Sequence, residues 1–141
     1  MERISIAYRD RIMQMMGHAK LDRIVTDKNV YQTANNDILP YIDGMLDELV
    51  QPGSRIRGIE HLDELLKKAE DGASCLLFVE HFSNFDLPVL SYLLRQHGER
   101  GKAIADAIVA IAGMKLNETN PVVAAFTEAY TRIVIYPSRS L

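Results

Sequence analysis

The stretch that most limits what this chain can fold into is Leu76-Leu77-Phe78-Val79-Glu80-His81-Phe82-Ser83-Asn84-Phe85-Asp86-Leu87-Pro88. Four consecutive apolar residues, Leu76 to Val79, lack the polar alternation of a half-exposed strand and predict one covered on both faces of a sheet. The run stops at His81. Asn84 then stands where it can cap a helix through Phe85, Leu87, Val89, Leu90, Leu93 and Leu94, with Pro88 tolerable in the first turns. Strand, polar turn and helix in that order put the histidine at the carboxyl end of a buried strand, where open α/β sheets place ligands.

The spacing of His81 and Asp86 adds a chemical constraint. On one unbroken helix of about 3.6 residues per turn, residues five apart lie well off each other's face. The two meet only if His81 lies in the turn and Asp86, in the first helical turn, reaches back. Asp86 then accepts the Nδ1 proton, which fixes the tautomer and leaves Nε2 bare to take a proton from a substrate hydroxyl. That describes a general base and its orienter, with no protein nucleophile. The competing readings are structural: a core or capping histidine at a strand end, and a carboxylate that complements the helix dipole. Ser83 and Asn84 read as turn and cap residues.

Upstream, Ile4, Tyr8, Ile12, Met15 and Met16 fall at helical spacing and predict an amphipathic helix over 3–17. A second helix is predicted from about 28 to 50, kinked or divided at Pro40. The methionines Met13, Met15 and Met16 read as packing residues, because no dense basic stripe accompanies them as a membrane-surface helix would require. Gln51-Pro52-Gly53-Ser54 is the clearest boundary and separates an N-terminal helical region, 1–52, from an α/β core, 53–141.

Beyond that boundary the pattern becomes strand and helix in alternation. Ile56 to Ile59 predicts a short strand, Glu60 to Glu70 a helix ended by Asp71-Gly72, and 74 to 79 the buried strand. A helix from 84 to about 96, a solvated loop over 96–102, a strand at 107–112, a helix at 121–130 and a strand at 132–136 follow. The fold class expected is α/β: an N-terminal helical hairpin, then βαβ units forming a mainly parallel sheet covered by helices.

Composition removes several classes of function. A formal net charge of -3 and a pI near 5.8 give no electrostatic footprint for nucleic acid. The single cysteine, Cys75, cannot form an internal disulfide and reads as a small core residue in a reducing compartment. His18, His61 and His97 have no ligand-like spacing with one another or with Cys75, so no metal site is expected. No apolar stretch approaches the ~20 residues needed to cross a bilayer, and a cytoplasmic protein is expected. Neither a phosphate-binding Gly-rich loop with Lys-Ser/Thr nor a Gly-x-Ser-x-Gly elbow is present, which removes support for nucleotide hydrolysis and serine-hydrolase chemistry.

The segment His81-Phe82-Ser83-Asn84-Phe85-Asp86 resembles the His-x4-Asp motif of the glycerolipid acyltransferases, the glycerol-3-phosphate and lysophosphatidate acyltransferases. Its surroundings are similar as well. Ala110-Ile111-Ala112-Gly113-Met114-Lys115, the helix start Asn120-Pro121 and the strand end Ile135-Tyr136-Pro137-Ser138-Arg139 follow in the order of the soluble plastid-type enzymes, over about residues 57 to 141. Many members of the family carry Asn where this chain has Glu80.

The resemblance implies that His81, assisted by Asp86, deprotonates an acceptor hydroxyl, which attacks the thioester of acyl-CoA or acyl-carrier protein. The acceptor would be glycerol 3-phosphate or a lysophospholipid, and no cofactor is implied. It implies Arg139, with Lys115, as the phosphate clamp, since arginine presents a fork of donors matched to phosphate oxygens. A solvated charge near the chain terminus is the alternative for Arg139. Ser140 stands where the plastid-type pattern has a histidine. The family's Pro-Glu-Gly-type block and its later proline-containing strand have no counterpart before Leu141, so the expectation is an N-terminal portion of a longer acyltransferase. Peripheral contact with a membrane and a homodimer are further expectations, and an inactive fragment or interaction module is the alternative function.

Overall fold

In the computed structural model, which describes residues 3–20, 24–113 and 120–136, the chain forms seven helices and three short strands among those residues. In chain order they are α1 (Ile4–Ala7), α2 (Arg9–Gly17), β1 (Tyr31–Gln32), α3 (Leu39–Leu49), α4 (Ile59–Glu70), α5 (Asp86–Arg95), α6 (Gly98–Ala107), β2 (Ala110–Gly113), α7 (Pro121–Glu128) and β3 (Arg132–Ile135). They fall into two compact units, the described residues of Met1–Asp47 with Val109–Leu141, and Glu48–Ile108. Contact thus groups the N-terminal helices with the last two strands, and this grouping does not follow the linear division at 52/53.

The first unit holds the sheet. Strand order is β1-β3-β2, with β2 and β3 parallel in the register Ala110↔Arg132 to Gly113↔Ile135, and β1 antiparallel to β3 through Tyr31↔Ile133 and Gln32↔Arg132. Between the parallel strands runs α7, whose start follows from Asn120-Pro121. The Asn120 side chain accepts the Val122 and Val123 amides at 2.9 and 3.4 Å, and Pro121 occupies the first turn, where its missing N–H leaves nothing unpaired. The sheet is therefore mixed, with one parallel and one antiparallel pair.

The N-terminal region is not the uninterrupted helical hairpin that the periodicity suggests. Tyr8, at φ -111° and ψ 23°, separates α1 from α2. The expected helix from 28 to 50 begins only at Leu39, so that Pro40 sits in its first turn, and the residues before it supply β1. Ile42, Met45 and Leu46 recur at helical spacing on α3 and are buried together with Ile12 and Met15 of α2 and Ala125, Ala129 and Val134. Met15 is fully buried as a packing residue, whereas Met13 is exposed. A buried carboxylate ties this core together: Glu128 Oε2 accepts the Lys20 amide at 3.0 Å and Asn35 Nδ2 at 3.2 Å. No periodicity in the sequence marks that role for Glu128.

The regular elements of the second unit are all helices. Helix α4 ends at Asp71-Gly72 as its sequence dictates, with Gly72 at φ 93°, a left-handed conformation that favours glycine. Helix α6 lies where a solvated loop is expected over 96–102. The two glycines that suggest a loop are what the packing needs: Gly98 opens the helix at φ 69°, and a Cβ on Gly101 would collide with the Leu94 carbonyl oxygen of α5 and sit 2.7 Å from His97 Cβ. Both α4 and α5 pack against α6. Arg100 of α6 donates to the Asp63 carboxylate and, through Nη1 and Nη2, to both oxygens of Glu70 at 3.0 and 3.3 Å. Lys67 first, then Arg100, holds the Asp63 carboxyl below its ordinary range.

Leu76 to Val79, expected as a buried strand, forms no regular secondary structure and pairs with no strand, and its residues are 63, 42, 88 and 58% exposed. Ile56 to Ile59 likewise forms no strand, and Ile59 instead opens α4. The physical reason is local. A strand exists by exchanging backbone hydrogen bonds with a neighbour, and the unit Glu48–Ile108 contains none to pair with. Cys75 is accordingly exposed, not a core residue. Among the described residues no helix is long and apolar enough to cross a membrane.

Candidate active site

Ser83-Asn84-Phe85-Asp86 folds as a hydrogen-bonded turn leading into α5, and that local turn builds the site. Ser83 Oγ accepts the Phe85 amide at 3.0 Å, while the Asp86 carboxylate reaches back to accept the Ser83 amide at 2.9 Å through Oδ2. The Asp86 amide closes the turn onto the Ser83 carbonyl at 3.2 Å. Asn84 is therefore not the cap of α5: Phe85 stands at the N-cap position with no side-chain cap hydrogen bond, and Ser83 organises the turn ahead of it. Helix α5 then buries Pro88, Ser91 and Leu94, which anchors the turn to the unit's interior.

With Asp86 turned back in this way, His81 Nδ1 lies 2.9 Å from Oδ2. The Phe82 amide donates to the same oxygen at 2.7 Å, so Oδ2 faces three donor positions, and the Ser83 hydroxyl donates to Oδ1 at 3.3 Å. This environment lowers the Asp86 carboxyl below its ordinary value, through the Ser83 amide first, against an opposing contribution from partial desolvation, and then through the Phe82 amide and His81. An ionised carboxylate only accepts, so the hydrogen bond requires the proton on Nδ1. In the neutral ring Nε2 is then an acceptor. The imidazole side chain is 76% exposed against 24% for the carboxylate, and among the described residues Nε2 makes no hydrogen bond. The arrangement presents an oriented, solvent-accessible base.

No protein-family model matches the chain, and neither the curated proteins nor the solved structures give a match.

Of the residues singled out from the sequence, the structure brings His81 and Asp86 together, while Lys115 and Arg139 lie outside the described residues. An oxyanion donor from a backbone N–H near the helix start is narrowed by the same geometry. The amides of Phe82, Ser83, Phe85 and Asp86 already serve the turn or the carboxylate. Among the described residues, no three His, Cys, Asp or Glu side chains are grouped to hold a metal ion. Phe78 and Phe82, 88 and 81% exposed, border His81 in sequence with apolar surface.

Proposed function

We propose that the protein is an acyltransferase of the glycerolipid type, moving a fatty acyl group from acyl-CoA or acyl-carrier protein to the hydroxyl of glycerol 3-phosphate or a lysophospholipid. The observation that supports this reading is the hydrogen bond of His81 Nδ1 to Asp86 with Nε2 left open. In the reaction, Nε2 takes the proton of the acceptor hydroxyl as its oxygen attacks the thioester carbonyl. The tetrahedral oxyanion collapses, the carbon–sulfur bond breaks, and the imidazolium returns its proton to the leaving thiolate. Asp86 keeps the ring oriented and offsets its positive charge during the step. Arg139 and Lys115 clamp the acceptor phosphate.

In this reading the working fold is the mainly parallel, helix-covered sheet of such enzymes. The protein acts in the cytoplasm and at the membrane periphery, and as a homodimer. The test is product analysis: the chain, an acyl-CoA or acyl-carrier protein, and glycerol 3-phosphate should yield acylglycerol phosphate and free thiol. Absence of the ester with both donors rejects the assignment.

A second reading, a catalytically inactive interaction module, draws on the exposed apolar run Leu76–Val79 with Phe82, because contiguous exposed apolar surface marks association sites. It requires self-association with no turnover, and a monomer that forms the ester would eliminate it.

A further inference from the structure

We propose that Ser83 is a positioning residue for the His81–Asp86 pair, holding the carboxylate so that Oδ2 stays aimed at Nδ1. A carboxylate on a short side chain is free to turn about its last torsion and exchange its two oxygens, and such sp² torsions are broad. Three donor positions, the Phe82 and Ser83 amides and His81 Nδ1, converge on Oδ2. Among the described residues Oδ1 is held only by the Ser83 hydroxyl at 3.3 Å. Because Ser83 Oγ accepts the Phe85 amide at 3.0 Å, its own proton is directed elsewhere, and Asp86 Oδ1 is the acceptor within reach. The residue thus grips both carboxylate oxygens, one with its amide and one with its hydroxyl, and passes an orientation to the ring without touching a substrate.

This inference rests on the acyltransferase reading only for the use the pair is put to, so its test needs no turnover. The neutral His81 ring divides between Nδ1–H and Nε2–H forms, which ¹⁵N chemical shifts measure at a pH where the ring is unprotonated. Relative to the wild type, Ser83→Ala should lower the Nδ1–H to Nε2–H ratio about fivefold, the change a hydrogen bond of ordinary net strength supports. Ser83→Thr, which restores the hydroxyl, should keep the wild-type ratio. Ser83→Gly removes the hydroxyl from a turn position that glycine tolerates and should match the alanine variant. An unchanged ratio in whichever of the alanine and glycine variants folds overturns the proposal. A fall in the threonine variant equal to that in alanine overturns it as well. Failure of the wild type to turn over would count against the enzyme reading alone and leave these spectra to decide the role of Ser83.

Discussion

Because both oxygens of Asp86 accept hydrogen bonds, its charge state and the orientation of His81 are linked, and the link has a predictable pH dependence. The carboxyl is lowered from an ordinary value of 3.8, so the native state favours its ionised form. The resulting stabilisation is complete above the unfolded-state value and is lost as pH falls through the lower folded-state value. Against Asp86→Asn, the wild type should show a higher Tm at neutral pH, with the difference shrinking to nothing in the acid range below 3.8. A Tm difference that persists undiminished through that acid range would show that the charge is not what the turn uses. The meeting of His81 with Asp86 was legible from their spacing, since a turn followed by a helix is the one arrangement that joins residues five apart. The way the helix starts was not. Asn84 and Ser83 are both good capping residues, yet Phe85 takes the N-cap position and Ser83 holds the turn before it.

Helices were legible where apolar spacing was clear, as in α4, α5 and α7, and illegible where a tertiary contact chose the residue. Helix α6 is the clearest case. Gly98 and Gly101 are poor helix formers, yet the second is required by the approach of the Leu94 carbonyl. Gly101→Ala, which on an exposed helix would stabilise, should here destabilise by about 1–3 kcal/mol, the cost of overpacking a close contact. Urea denaturation of the two proteins measures this, and equal or higher stability of the alanine variant would show that α5 and α6 are not so closely apposed. Strands present the opposite problem. The run Leu76–Val79 has the composition of a buried strand, but pattern alone cannot supply the neighbour that pairs with it, and its unit offers only helices. At Pro40 a residue read as an interior kink lies in a first turn, because the chain before it is recruited as β1.

At the scale of the molecule, the α/β character is present in coarse form, as helices with a small mixed sheet. The local geometry at His81 does not depend on the larger sheet, since the hydrogen-bonded turn that sets it is contained within residues 81–86. Leu76–Val79 pairs with no strand. In the free chain the amides of these residues should exchange with solvent as fast as those of an unprotected segment. Under the acyltransferase reading, saturating acyl-CoA should slow them as the donor's acyl chain covers this exposed apolar run. Equally fast exchange with and without the donor would separate this segment from substrate binding.

The central claim is that His81 Nε2 takes the acceptor's proton, and kinetics of thiol release from acyl-CoA with and without glycerol 3-phosphate test it most directly. The wild type should release thiol in an acceptor-dependent manner, and a folded His81→Ala variant should be slower by on the order of 10²–10⁴-fold, the usual contribution of a positioned general base. Equal rates for the two proteins, or no acceptor-dependent release by the wild type, would contradict the account.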